Sequence, residues 1–171
     1  EQGRQEVAAD VLRGDAPDDV GDPERAAAQK ERARTIEAGA DSAAFELHSR
    51  DGHRWRVGLS ICYDLRFPEY FRQLGEVDIL ILPAAFTATT GEAHWEVLLR
   101  ARAIENQCYV IGCNRIGTDG NALVYNGHSQ VLNMFGEHLS TPHEQVGIYV
   151  VELDHEALQM GRKALPFLKD A

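Results

Sequence analysis

The sequence predicts an α/β domain. Three segments carry that expectation. Trp55, Val57, Leu59 and Ile61 alternate with mostly polar or small residues, Val77 to Leu82 is a short apolar run, and Glu92 to Gln107 is amphipathic. Period-two alternation marks a half-buried strand, a short apolar run marks a strand covered on both faces, and apolar residues three and four apart mark a helix packed along one side.

Taken in order, residues 1–34 stand apart from the rest. The first 44 residues hold no aromatic side chain, eleven acids, and only five of Val, Leu and Ile. Stretches such as Gly14-Asp15-Ala16-Pro17-Asp18-Asp19 cannot bury enough apolar surface to offset the entropy of ordering them. Residues 23–37 suit a polar helix, but without an apolar stripe it has little to dock with. The expected organisation is a polar, disordered or non-native segment at 1–34, followed by a folded domain at 35–171.

From Ala44 the texture changes. Phe45 to Ser49 alternates as a strand, Arg50-Asp51-Gly52 turns the chain, and the Trp55–Ile61 strand closes a hairpin. Pro68 is suited to the first position of a helix running to Leu74. The strand at Val77 to Leu82 is expected to end at Pro83. The helix over Glu92 to Gln107 is expected to bury Val97, Leu98, Ala101, Ile104 and Cys108, with Glu96 and Arg100 paired on the outer side. Cys108 to Ile116 reads as the next strand, and Thr118-Asp119-Gly120-Asn121 as a turn. His128 to Met134 and Gly147 to Leu153 read as further strands, with a turn at Phe135-Gly136-Glu137 between them. Asp154 is a good N-cap for a last helix.

The bulk numbers exclude several classes. The chain has 171 residues and a formal net charge of −10, which argues against nucleic acid or anionic membrane as a partner. No run approaches the roughly 18 apolar residues of a membrane span, and no signal-peptide pattern opens the chain, so a cytoplasmic location is expected. Cys62, Cys108 and Cys113 form no CxxC pair, and the histidines form no HExxH cluster. A disulfide framework, a metal site and a cofactor are therefore not expected.

The chemistry concentrates at Gly58-Leu59-Ser60-Ile61-Cys62-Tyr63-Asp64-Leu65-Arg66-Phe67-Pro68-Glu69. An isolated cysteine is more often a buried core residue than a nucleophile. Here it sits at the end of an alternating strand just before a helix, where a side chain is exposed and nearby N–H groups favour a thiolate. Tyr63, Asp64 and Arg66 crowd polar groups onto that turn, which a core cysteine would not need. Cys108 and Cys113 lie in apolar strand context and read as core.

The stretch ICYDLRFPEY resembles the nucleophile motif of the nitrilase superfamily of carbon–nitrogen hydrolases, in its amidase branch. Three further blocks resemble it in order: Leu82 to Thr87 through Gly91-Glu92-Ala93-His94-Trp95, Leu98 to Tyr109, and Tyr125 to Ser129 followed by Phe135-Gly136-Glu137. The resemblance spans roughly residues 35–169, and the wording is most similar to ω-amidases and deaminated-glutathione amidases. It implies a four-layer αββα sandwich, incomplete here, and a Glu–Lys–Cys triad. It implies a small amide and water as reactants, with no cofactor, and a homodimer or higher homo-oligomer.

By that resemblance Cys62 is the nucleophile and the Tyr63 backbone N–H an oxyanion donor. Arg66 and Glu105 are each either a substrate contact or a scaffold ion-pair member. Phe86 and Trp95 either line the substrate pocket or belong to the core. The family's proton-shuttling glutamate and the lysine of its K-x-H-L-F stretch have no recognisable match. Lys30 is the only lysine ahead of Cys62, but Gln29-Lys30-Glu31-Arg32 does not resemble that stretch, which makes Lys30 a weak triad candidate. Two origins suit the aberrant start: a fragment carrying unrelated sequence, or a truncated paralogue. Impaired catalysis is expected either way, with a nitrilase or carbamoylase as the alternative enzyme and a non-catalytic oligomerising remnant as the alternative of another class.

Overall fold

The computed structural model describes residues 43–170, so the expectations for 1–34 and for Lys30 lie outside the described residues. Six strands form one sheet: β1 (Ala43–His48), β2 (Arg54–Leu59), β3 (Ile79–Ala84), β4 (Tyr109–Asn114), β7 (Ser129–Leu132) and β8 (His138–His143), in the order β1-β2-β3-β4-β7-β8. The short strands β5 (Ile116–Thr118) and β6 (Val124–Asn126) form a separate hairpin. Helices α1 (Pro68–Gln73), α2 (Ala88–Asn106) and α3 (His155–Ala164) complete the order. The β2–β3 and β3–β4 pairs are parallel and the other pairs of the main sheet antiparallel. The α/β expectation holds, and no helix of the described residues is long and apolar enough to cross a membrane.

The first hairpin forms as the alternation predicts, with Phe45 opposite Val57 and Leu47 opposite Trp55. Gly52 takes φ +90° in its turn, a conformation that costs a residue with a Cβ but not glycine. Strand β3 does not stop at Pro83. It runs on to Ala84, with Pro83 opposite Cys113 of β4. The carbonyl of Ile81 accepts from the Ser60 N–H on the β2 side. Pro83, two residues further, presents its missing N–H to that same side, beyond the last residue of β2, where no ladder bond is lost.

Two cores lie on opposite faces of the sheet. Leu80, Leu82, Val110 and Leu132 pack with Phe71 of α1 and with Trp95, Leu99 and Ala103 of α2. On the other face Trp55, Val57, Ile79, Tyr109 and Met134 pack with Leu158 of α3.

Helix α2 begins four residues before Glu92 and buries a different face from the one expected. Gly91, Trp95, Leu99, Arg102, Ala103 and Asn106 point inward, while Val97 is 65% and Ile104 43% exposed. The reason is volume. A Cβ at Gly112 of β4 would lie 2.6 Å from Leu99 and 3.0 Å from Trp95, so the bare backbone there admits the largest side chains of the helix.

The strand expected over 108–116 breaks at Arg115 into β4 and β5. Asn114 marks the break, its side chain bonding Phe86 N and O and Gly127 O. Cys113 is exposed rather than core. It points to the sheet face opposite α2, and residues 147–153, expected as a strand, carry no sheet pairing, with Gly147 and Tyr149 lining the same groove as Cys113. The strand that follows the Phe135–Glu137 turn is β8 instead. Asn133 sets this turn, its Oδ1 accepting from the N–H groups of Phe135 and Glu137. The cap at Asp154 is as expected, its carboxylate accepting from Ala157 N–H at 2.9 Å.

Candidate functional site

The chain leaves β2 at Leu59 and enters a 3₁₀ turn at Cys62–Arg66. Cys62 is half-buried and takes φ +45°. A left-handed conformation is rare for a residue with a Cβ, and where it occurs the surrounding structure must hold it. Several groups do so. The Asp64 carboxylate accepts from the Ile61 N–H at 2.7 Å, and the Asp64 N–H donates to the Ile61 carbonyl at 3.0 Å. That is the first bond inside the turn, so the N–H groups of Cys62 and Tyr63 precede it.

The strongest support comes from α2. Leu65 is fully buried, and its carbonyl accepts from Arg102 Nε at 3.1 Å and Nη2 at 2.7 Å. Arg102 is itself 4% exposed, pairs with Glu105 at 2.8 Å, and lies over the Phe71 ring at 5.1 Å. Glu105 thus serves Arg102 inside the scaffold. On the outer side Tyr70 Oη donates to the Leu59 carbonyl at 2.7 Å, tying α1 to the strand end.

Of the predicted site residues, Cys62, Tyr63 and Arg66 share this turn. Tyr63 is exposed, its ring edge-on to Phe67. Arg66 lies over the Phe86 ring at 5.1 Å and contacts His94 Nδ1 at 3.2 Å. A guanidinium only donates, so this contact is a hydrogen bond when His94 Nδ1 carries no proton. Among the described residues no carboxylate pairs with Arg66. Phe86 and Trp95 are buried in the core against one another, 5.1 Å between ring centres, and Trp95 Nε1 donates to the His128 carbonyl at 2.8 Å. Phe86 thus touches the turn through Arg66, while Trp95 stands behind it.

Tyr125, Arg115 and His94 had no signal strong enough to single them out in sequence. Tyr125 of β6 donates to Asp119 at 3.0 Å, and Arg115 lies over its ring at 4.8 Å. Burial, then the Asp119 bond and charge, push its phenol up, and negative charge on Cys62 adds to this, which brings the β5–β6 hairpin within electrostatic reach of Cys62. The third is His94, legible only as part of the Gly91-Glu92-Ala93-His94-Trp95 block. A groove of about 400 Å³ lies elsewhere, lined by Cys113, Ser129, Ser140, His143 and Tyr149 among others, and none of Cys62, Tyr63 or Arg66 reaches it.

Residues 24–163 match the family model described as carbon–nitrogen hydrolase. The chain belongs to the carbon–nitrogen hydrolase family. The match begins within the polar segment 1–34. Over 115 residues the chain is 44% identical to a deaminated glutathione amidase of Synechocystis, an alignment covering 66% of this chain and 42% of that protein. Over 118 residues it is 43% identical to the omega-amidase YafV of Escherichia coli, covering 68% of this chain and 46% of that protein. This carbon–nitrogen hydrolase chain therefore spans less than half the length of these relatives. Among solved structures it is similar to XC1258 of Xanthomonas campestris, a CN-hydrolase superfamily protein with an arsenic adduct in its active site. That likeness has a TM-score of 0.68 at 30% identity and covers 84% of this chain and 55% of the other. The carbon–nitrogen hydrolase fold inferred from the sequence blocks agrees with this neighbour, a central sheet with helices on it.

Proposed function

We propose that this chain carries the nucleophile of an amidase that hydrolyses the amide of a small ω-amidodicarboxylate, with Cys62 as the attacking residue. The observation that carries the reading is the φ +45° turn at Cys62, braced by Asp64 below and by Arg102 through the Leu65 carbonyl. Such bracing suits a reacting sulfur that must hold one position. The amidase names of the relatives support the substrate class.

The steps follow from the chemistry of an amide, a poor electrophile. The Cys62 thiolate attacks the amide carbon and a carbon–sulfur bond forms as the carbonyl electrons move to oxygen. The Tyr63 N–H, ahead of the turn's first internal bond, donates to that oxyanion. The carbon–nitrogen bond then breaks, and ammonia leaves with a proton supplied by a general acid. Water attacks the thioester, releasing the carboxylate and restoring the thiol. Arg66, without a carboxylate partner among the described residues, is suited to a substrate carboxylate. The general acid and the oxyanion lysine have no assigned residue among 43–170, with Lys30 the weak candidate outside them, so turnover by this chain is expected to be slow. The protein is read as acting in the cytoplasm as a homodimer or larger homo-oligomer.

The test is ammonia release from an α-keto acid ω-amide by the full chain and by its Cys62→Ala variant. Release above the variant supports the reading. Equal rates, with Cys62 no faster to alkylate than Cys113, favour a non-catalytic remnant. Faster release from a nitrile or an N-carbamoyl acid shifts the reading to those branches.

A further inference from the structure

Among the described residues, guanidiniums lie over aromatic rings at Arg102 (Phe71), Arg66 (Phe86 and Tyr63) and Arg115 (Tyr125). Arg102 is buried and ion-paired, and Arg66 contacts His94 Nδ1. Arg115 differs from both. It is exposed, and among the described residues its guanidinium makes no hydrogen bond or ion pair. Asp119 feels its charge, but that carboxylate is taken up by the N–H groups of Asn121 and Leu123 and by Tyr125 Oη. A guanidinium steadied by a ring, with its fork of donors unspent, is suited to receive a planar anion in two parallel bonds.

The sheet places Arg115 at the same edge as Cys62. β2, β3 and β4 run parallel, with Leu59 opposite Ile81 and Ala84 opposite Asn114. Cys62 follows Leu59 by as many residues as Ala84 follows Ile81, and both pack against the same core cluster. The Arg115 N–H donates to the Ala84 carbonyl at 3.0 Å. Cys62 and Arg115 thus leave the carboxyl ends of β2 and β4 with Ala84 of β3 between them, the edge where ligands settle in open parallel sheets. Two strand spacings make that gap about 10 Å. Tyr125 lies within it electrostatically: Arg115 is 4.8 Å from its ring centre, and negative charge on Cys62 reaches its phenol. The short carbon chain of a dicarboxylate monoamide covers roughly half of the gap and an arginine stem the rest.

We propose that Arg115 is a specificity residue that binds the far carboxylate of the substrate, in addition to Arg66, while the amide carbon lies at Cys62. This rests on Cys62 being the nucleophile of an amidase for ω-amidodicarboxylates. The contact is made at the end of the substrate that does not react, so it strengthens binding of substrate and transition state alike. A neutral amide of the same length gains nothing from it. The product dicarboxylate carries the same far group and is held the same way.

The experiment reads protection of Cys62 rather than turnover, so a slow enzyme suffices. The full chain is alkylated with iodoacetamide in rising concentrations of glutarate or of neutral glutaramide, and labelling of Cys62 and Cys113 is followed by peptide mass spectrometry. Glutarate is expected to slow labelling of Cys62 in the parent and to leave Cys113 unchanged. Arg115→Gln raises the glutarate concentration for half protection about tenfold or more, as loss of a charge-assisted pair requires. Arg115→Lys, which keeps the charge but not the planar fork, loses part of that protection, and it carries the comparison if the Gln variant fails to melt like the parent. Arg50→Gln, which removes an exposed charge from the turn at the other end of β2, stays at the parent value. Equal half protection in the parent and Arg115→Gln overturns the proposal and leaves the carboxylate to Arg66, and a folded Lys variant at the parent value overturns it where the Gln variant unfolds. So does an equal shift in Arg50→Gln, glutaramide protecting as well as glutarate, or glutarate failing to protect the parent. A parent Cys62 that labels no faster than Cys113 overturns the nucleophile reading instead, which keeps the two failures apart.

Discussion

Replacing Arg102 by Met tests whether α2 holds the Cys62 turn. Met keeps much of the aliphatic stem that packs near Phe71 but removes both donors to the Leu65 carbonyl and the partner of Glu105. The carbonyl of a fully buried residue is left unpaired, at about 1–3 kcal/mol. Breaking a buried ion pair from one side costs about 3–5 kcal/mol. Glu105 is 29% exposed, so water recovers part of that and the lower end applies. A loss of about 3 kcal/mol corresponds to a fall in urea midpoint of about 1.5 M at a slope near 2 kcal/mol/M. Arg100→Met is the control. Its pair with Glu96 is exposed and 3.8 Å long, and such pairs contribute about 0–1 kcal/mol. If the two variants unfold within about 0.3 M of each other, the argument that Arg102 clamps the turn fails, since that gap is well under 1 kcal/mol at the same slope.

Three further outcomes follow from single observations. In the thiol order, Cys62 alkylates fastest and Cys108 slowest, because Cys108 is fully buried and desolvation pushes its thiol far up. Cys113 lies between, open to solvent on one side but with its thiol raised by partial burial; peptide mapping that finds Cys108 first removes the burial argument. Asp154→Ala loses the α3 cap and is expected to cost about 1 kcal/mol in urea unfolding, and a change below about 0.3 kcal/mol would mean the bond to Ala157 contributes nothing. Asp119 is held below the ordinary carboxylate range, first by the Asn121 N–H. Its contribution to the β5–β6 turn is therefore complete above the ordinary range and lost as pH falls through the lowered value. Asp119→Asn should raise Leu123 amide exchange at neutral pH and match the parent below that value; equal exchange at neutral pH removes the role given to the charge.

What the sequence revealed depends on how local the signal is. The first hairpin, the Pro68 start of α1 and the Asp154 cap were legible because each is written in a few adjacent residues. The inward face of α2 was not. Periodicity allowed several apolar stripes along that helix, and the choice was made by Gly112, a residue 13 positions beyond Leu99 that leaves room for it and for Trp95. The strand expected over 147–153 alternates well enough, but alternation describes a segment able to pair, not one that has found a partner. Cys113 was misjudged for the same reason, since apolar neighbours along β4 say nothing about which face is covered. At the candidate site the turn and Cys62 were legible, while Tyr125 and the Arg66–His94 contact required three-dimensional proximity.

The site is built in two tiers that use different physics. Close to Cys62, short-range backbone bonds fix the turn: Asp64 to Ile61 on one side and the Leu65 carbonyl on the other. Behind them, the fully buried Leu65 and Leu99 and the nearly buried Trp95 and Arg102 make the support rigid, because α2 cannot slide without opening the fit at Gly112. A close-packed interior transmits displacement rather than absorbing it. The left-handed conformation at Cys62 is thus held from α2 through Arg102, 40 residues downstream in sequence. The segment at Cys62 and the end of α2 are thus coupled: α2 supplies the arginine whose two bonds to the Leu65 carbonyl hold the turn still.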